Sequence, residues 1–195
     1  MTTTEQIKQL RDQTGISIMQ CKKALEEAGD DMEKAVILLR KKGAGAAAKK
    51  SGRVLGSGVV AAYIHGEGSV GAMVELACET DFVSRNSEFR SLAYDVAMQV
   101  AAMNPIYLKP EDISEEDKNR AKEVFAEEVK NKPENMREKI LEGKLAAHFR
   151  EQVLLEQAFI KDQDKKILDI IEAAVHKFGE KVEVIRFSRF EVGKL

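Results

Sequence analysis

The sequence contains few of the residues that most directly indicate a class of protein. It has two cysteines in 195 residues, and its formal net charge is −2. Cys21 and Cys78 occupy apolar-face positions of their predicted elements, so we interpret both as reduced core residues, not as a disulfide or a metal site. The small net charge favours neither a strongly basic nor a strongly acidic partner.

Long apolar segments are also missing. No apolar run approaches the ~20 residues that a membrane-spanning helix needs. The first five residues, Met-Thr-Thr-Thr-Glu, do not have the apolar stretch of a secretory signal peptide. We therefore expect no membrane contact and a cytoplasmic location, or an organellar stroma or matrix if a targeting segment has been removed.

Motifs for catalysis are nearly absent. The three histidines are far apart and have no cysteine or carboxylate at metal-ligand spacing. Gly45 followed by Lys50-Ser51 superficially resembles a phosphate-binding loop, but Lys49 occupies the second glycine position and no strand precedes it. The nucleophile elbow and the kinase motifs are missing. The sequence predicts a protein that is not an enzyme and that holds no cofactor and no metal.

Residues 1–42 have the pattern of three short helices. Each has one apolar face and a residue pair that can cap its N-terminus: Thr3 with Gln6, Ser17 with Gln20, and Asp30 with Glu33. This pattern predicts a compact three-helix domain of the ubiquitin-associated (UBA) type. Residues 43–54 combine glycine, alanine and positive charges, which predicts a basic linker that is helical at most in part.

Residues 55–195 are predicted to form the core domain. Alternating apolar residues at 59–65 and 70–78 predict a β-hairpin, and residues 182–192 predict a third, antiparallel strand. The intervening sequence has helical patterns at 87–103, 114–130, from 133 onward and at 165–178. Strands, then helices, then a strand indicate an α+β fold, with a three-stranded antiparallel sheet packed against helices on one face.

The turn between the second strand and the helix that follows contains the most informative residues. Asp81 and Phe82 belong to neither the alternating pattern before them nor the helical pattern after them. A lone aromatic residue beside a helix N-terminus often folds back as a hydrophobic staple. The alternative is that Phe82 projects from the turn and enters a partner.

Several segments resemble the elongation factor Ts family. The turn Thr80-Asp81-Phe82-Val83-Ser84-Arg85-Asn86 is similar to the signature of that family, although Ser84 replaces the usual alanine. Similar motifs occur in the family order at residues 10–15, 21–30, 39–43, 154–159 and 186–193. Ala158 stands where proline is usual. Because the sequence ends soon after the last motif, it resembles a short form that lacks a second core subdomain and a C-terminal module.

The resemblance implies a function and a partner. Members of the family are guanine nucleotide exchange factors that bind elongation factor Tu and promote GDP release. The resemblance implies that Thr80, Asp81, Phe82 and Val83 bind this partner. Phe82 would wedge between helices of the GTPase near its Mg²⁺ site, and Asp81 would perturb polar contacts there.

Two other function classes remain compatible with the residues alone. The three-helix pattern could belong to an adaptor for ubiquitin-like or peptide partners, although a fold is weak support for a function. The basic residues near the linker could bind RNA, but no aromatic residues for base stacking accompany them. We expect no direct nucleic-acid role.

The terminal strand predicts self-association. Its apolar residues fall on both faces, more than an edge strand covered on one side needs: Val182, Val184, Ile185, Phe187, Phe190 and Val192. A short chain that lacks the second core subdomain could still form a two-part contact surface by pairing two cores about a two-fold axis. We therefore expect a homodimer. The alternative is a sheet that the chain's own helices bury on both sides.

Overall fold

The computed structural model describes residues 2–193 and gives an α+β protein, which confirms the predicted fold class. Within those residues, no helix combines the length and apolar character that crossing a bilayer requires. The elements follow in this order: α1 (Thr4–Thr14), α2 (Ile18–Glu27), α3 (Met32–Lys50), β1 (Ser57–His65), β2 (Val70–Cys78), α4 (Asp81–Ser84), α5 (Ser87–Met103), α6 (Glu115–Val129), α7 (Glu134–Gln152), β3 (Ala158–Phe159), β4 (Asp162–Lys166), α8 (Ile167–Phe178) and β5 (Val182–Glu191).

The first three helices pack around an apolar cluster of their own. Thr3 and Ser17 cap α1 and α2, as predicted. The predicted cap of α3 is wrong by one residue, because Asp31, not Asp30, accepts a hydrogen bond from a first-turn amide (3.0 Å). Asp30 continues the left-handed turn that Gly29 begins. The buried residues of this cluster are Leu10, Ile16, Cys21, Ala24, Leu25, Ala35 and Leu39.

The segment 43–54, predicted as a linker, is a helix over most of its length. α3 continues without a break to Lys50, so the helix covers more of this segment than the partial helix that was predicted. Gly43 is buried against α8, and a Cβ atom at this position would lie 3.3 Å from a backbone oxygen of that helix. Ala46 and Ala47, three and four residues on, also contact the core. This close packing, with the high helix propensity of alanine, outweighs the cost of the glycines. The domain boundaries stay a prediction.

The core is built on an antiparallel sheet with strand order β1-β2-β5 in the described residues. The predicted hairpin pairs Val59 with Leu76, and β5 pairs with β2 as expected. A bulge between Glu75 and Leu76 leaves Ile185 without a partner in the register. α5 and α8 cover one face of the sheet. The cluster between them includes Val74, Leu76, Phe89, Val96, Val100, Ile167, Val175 and Val184.

Two features lie beside this core. α6 and α7 pack on each other as a helical pair, and Ser114 caps α6 as predicted by accepting a hydrogen bond from the amide of Asp117 (3.1 Å). The short ribbon of β3 and β4 was not predicted, because its residues, mostly charged, do not alternate with apolar ones. Gln99 of α5 is fully buried and holds this ribbon through hydrogen bonds to Ala158 and Ile160.

Candidate partner-binding site

The signature turn forms a single helical turn, α4, between β2 and α5. Thr80 is the last extended residue before it, with φ −128° and ψ 159°. Asn86 ends the turn and caps α5 by accepting a hydrogen bond from the amide of Glu88 (2.8 Å). Two ordered elements therefore fix both ends of a segment of only four helical residues.

Two adjacent apolar residues of α4 have opposite environments. The side chain of Phe82 is 83% exposed, whereas that of Val83 is 3% exposed and belongs to the buried core cluster. The exposure of Phe82 does not fit a hydrophobic staple, which would bury the ring against α5. Burial of Val83 anchors the turn, and the same turn directs Phe82 to solvent.

The acidic residue of the turn is also at the surface. Asp81 forms an ion pair with Arg85, with 3.0 Å between Oδ2 and Nη2. Both side chains are largely exposed, so the pair contributes at most about 1 kcal/mol to stability. The carboxylate of Asp81 can therefore leave Arg85 and pair with another group at little cost.

Ser84, the departure from the family pattern, is buried but has partners. Its hydroxyl accepts a hydrogen bond from the hydroxyl of Ser57 in β1 (2.8 Å) and donates one to the carbonyl oxygen of Asp81 (3.2 Å). A buried hydroxyl with partners carries little penalty. The serine therefore joins α4 to the first strand where an alanine could not.

Four residues that sequence analysis did not single out support the turn. Glu180, just after α8, accepts a hydrogen bond from the hydroxyl of Thr80 (2.6 Å). Glu79 accepts one from the amide of Lys181 (2.6 Å) and pairs with Arg53 (3.0 Å). The Lys181 amide, and after it the Arg53 guanidinium, lowers the pKa of the Glu79 carboxyl below its ordinary 4.5. No sequence signal could have found these contacts, since Glu79 and Thr80 lie about 100 residues from their partners beyond α8.

The cysteine that precedes the turn is a core residue. Cys78 at the end of β2 is buried, burial raises the pKa of its thiol, and the thiol donates to the carbonyl oxygen of Thr80 (3.2 Å). A thiol with a raised pKa is a poor nucleophile. Across residues 2–193, no group of three or more His, Cys, Asp or Glu side chains is placed to hold a metal ion.

A second exposed apolar surface lies on the sheet. Alternate residues of β1, β2 and β5 point away from α5 and α8, and the large apolar side chains on this outer face are exposed. Ile64 is 64% exposed and Phe190 is 68% exposed, and both pair with Gly71 in the register. Val60 and Met73 extend the same surface, which we call the outer sheet face, and Ile185 lies at its edge.

The fold and these surfaces define a class of protein before any relative is considered. One aromatic side chain on a firmly held turn, together with an uncovered apolar sheet face, is typical of a protein that works by contacting other macromolecules. A comparison with protein families agrees with the sequence resemblance. The model for "Elongation factor TS" matches residues 17–194. The chain belongs to the elongation factor Ts family.

Relatives named elongation factor Ts match this chain over nearly its whole length. The relative from Thermotoga petrophila is 51% identical over 188 residues, which cover 96% of this chain and 94% of that protein. The relative from Syntrophomonas wolfei is 48% identical over 196 aligned positions, covering 100% and 92%. The relative from Thermodesulfovibrio yellowstonii is 50% identical over 193 residues, covering 98% and 96%.

Proposed function

We propose that this protein is a guanine nucleotide exchange factor for elongation factor Tu. It binds the GTPase, disturbs the Mg²⁺ and nucleotide site through Thr80, Asp81, Phe82 and Val83, and promotes GDP release. The observation that carries the proposal is the 83% exposure of Phe82 on a turn whose next residue is buried in the core. Membership of the elongation factor Ts family supports the choice of partner.

The mechanism needs differential affinity and no covalent chemistry. Only a factor that binds the nucleotide-free GTPase more tightly than the GDP-bound form can shift the equilibrium toward release. By linkage, GDP weakens the binding of the factor by the same ratio. The protein is therefore not an enzyme in the sense of making or breaking bonds.

Phe82 and Asp81 have different tasks in this mechanism. The ring of Phe82 enters an apolar gap between two helices of the GTPase and displaces these helices. Asp81 exchanges its exposed ion pair with Arg85 for polar contacts on the partner. Displaced Mg²⁺ ligands leave the phosphate charge poorly compensated, so GDP dissociates faster.

The helical region at the N-terminus provides a second contact. Ile18 and Met19 at the start of α2 are exposed, and so is Ile37 of α3. These residues form no part of the cluster that holds the three helices together. We assign them to contact with the GTPase. Because α3 runs unbroken onto the core, the two contacts are held at a fixed distance, which reduces the entropy lost on binding compared with a flexible tether.

The outer sheet face supports a homodimer. Ile64, Met73 and Phe190 come from all three strands and form one exposed apolar surface. Gly71 lies between Ile64 and Phe190 in the register, and the Ile64 side chain leans over it, since a Cβ atom at Gly71 would lie 2.9 Å from Cδ1 of Ile64. A second copy of the same face would cover this surface in a two-fold sheet-on-sheet contact. The Glu75–Arg186 ion pair (2.6 Å) lies on the same face, where it would limit the apolar contact.

The site of action follows from the partner. Elongation factor Tu works where ribosomes translate, so we place the protein in the bacterial cytoplasm. No membrane or nucleic-acid contact enters the mechanism.

The proposal is tested by the nucleotide dependence of binding. Immobilised protein is mixed with purified elongation factor Tu, either freed of nucleotide with EDTA or loaded with GDP and Mg²⁺. We expect much tighter binding to the nucleotide-free form and release of the complex when GDP is added. Equal affinity for both forms would refute an exchange function, because such a ligand shifts no equilibrium.

A further inference from the structure

The turn after α8 holds the residues that lead into α4. Gly179 ends α8 in the left-handed conformation, and Glu180 follows it. One carboxylate oxygen of Glu180 accepts hydrogen bonds from the amides of Glu79 (3.1 Å) and Thr80 (3.0 Å). The other accepts the Thr80 hydroxyl (2.6 Å). A single side chain thus binds three donors at the start of the signature turn.

The contact is reciprocal. The carboxylate of Glu79 accepts the backbone amide of Lys181, the residue next to Glu180 (2.6 Å). Each glutamate therefore receives backbone amides from the segment that carries the other. Hydrogen bonds to ionised carboxylates are stronger than those between neutral groups. The two segments are joined firmly although about 100 residues separate them in the chain.

Thr80 does not have the usual role of its position. It is the N-cap residue of α4, yet its side chain makes no capping hydrogen bond to that helix. The hydroxyl is directed instead to Glu180. The position just before α4 is thus fixed by the turn between α8 and β5, and Val83 fixes the other end of the signature turn in the core.

We infer that Glu180 is a positioning residue for Phe82 in nucleotide exchange, an inference that rests on the proposed function. Phe82 lies between two fixed points, Thr80 and Val83, and is itself 83% exposed and outside the buried core cluster. A loop that is already ordered loses less entropy when its side chain enters a partner. Without the Glu180 contacts, the turn would have to be ordered during binding, and exchange would be less efficient.

A purely structural role for Glu180 is the alternative, and the two differ in their coupling to Phe82. If Glu180 acts through Phe82, its removal matters only when the ring is present. If it only stabilises the fold, its removal has the same effect in both backgrounds. Glu183 is a matched control, because it is a glutamate three residues away that pairs with the side chain of Lys181 (2.9 Å) and with no residue of the turn.

The experiment measures GDP release from elongation factor Tu by the full-length variants. We expect Glu180→Ala to lower exchange efficiency about fivefold, the effect of losing order in one short loop. Glu180→Gln keeps an acceptor for the two amides and should stay within about twofold of wild type. Glu183→Ala should match wild type. In the Phe82→Ala background, Glu180→Ala should cause no further loss.

Hydrogen exchange provides a readout that needs no partner. The amides of Glu79 and Thr80 should exchange faster in Glu180→Ala than in wild type, while amides at the centre of β2 stay protected. Full activity of Glu180→Ala, or a further fivefold loss in the Phe82→Ala background, would overturn the positioning role and leave the proposed function intact. If wild type itself does not accelerate GDP release, the proposed function fails and the inference fails with it.

Discussion

Two of the exposed apolar regions of the protein, the Phe82 tip and the outer sheet face, differ in shape. The Phe82 tip is one ring on a turn that Val83 and Glu180 hold in place. The outer sheet face spreads over three strands, with Ile64 and Phe190 as its most exposed large side chains within the sheet. A single projecting ring fits a gap between elements of a partner, whereas an extended apolar face fits a second extended face. The comparison assigns a different proposed contact to each region. The tip contacts the GTPase in nucleotide exchange, and the sheet face contacts a second copy of the chain.

The largest expected effect comes from charging the outer sheet face. Phe190→Asp would place an unpaired carboxylate in the interface of each protomer, at a cost of several kcal/mol, and should give a folded monomer. Phe187→Asp is the matched variant on the same strand, since Phe187 packs against the core and its substitution should unfold the chain. Light scattering at micromolar concentration should change from about twice 21.7 kDa to 21.7 kDa in Phe190→Asp. A wild-type mass of 21.7 kDa under all conditions contradicts the dimer.

Removal of the ring at the tip should affect exchange and leave the fold intact. Phe82→Ala deletes a contact of about 2 kcal/mol or more, equivalent to at least about tenfold in exchange efficiency. Because the ring is 83% exposed, thermal stability should be close to that of wild type. Asp81→Asn tests the charge separately and should cause a smaller defect. A Phe82→Ala variant with normal exchange and lower thermal stability would show instead that the ring stabilises the fold and does not act in exchange.

The neighbouring residue should show the opposite behaviour. Val83→Ala removes two buried methyl groups and should lower the free energy of unfolding by about 1–2 kcal/mol. Well below its melting temperature, this variant should retain more exchange activity than Phe82→Ala. Chemical denaturation gives the first quantity, and GDP release at 25 °C gives the second. An unchanged free energy of unfolding in Val83→Ala would show that the turn is not anchored through the core.

The smallest expected effect is a pH dependence of the contacts that support the Phe82 tip. The pKa of Glu79 is lowered in the folded protein, so its contribution to stability is present above 4.5 and is lost as the pH falls through the lowered value. Protection of the Lys181 amide from hydrogen exchange should therefore persist to about pH 4.5 and decline below it. Glu79→Gln should abolish this decline. If the Lys181 amide of the wild-type protein lost its protection between pH 7 and 5, the Glu79 carboxylate would not be the group that protects it.

The sequence predicted the parts of the structure that depend on local patterns. Alternation identified the hairpin, and capping residues located the helix starts to within one residue. Phe82 could be singled out because it fits neither neighbouring pattern, and the structure exposes it. These features depend on residues close together in the chain.

The features that sequence analysis missed depend on contacts between distant segments. Gly43, Ala46 and Ala47 have the composition of a linker, yet their small size allows α3 to pack closely on α8. Glu180 has no sequence feature that connects it with Thr80, since only the fold brings them together. In the first case, packing and the alanines outweigh the low helix propensity of glycine. In the second case, local propensity contains no information about the contact.

The most direct test of the account is the rate of GDP release from elongation factor Tu. Fluorescent GDP bound to the GTPase is mixed with excess unlabelled GDP in a stopped-flow instrument, with increasing concentrations of this protein. The account predicts that release accelerates and saturates with concentration, and that Phe82→Ala needs at least about tenfold more protein for the same rate. Release that stays at its spontaneous rate at every concentration of the wild-type protein would contradict it.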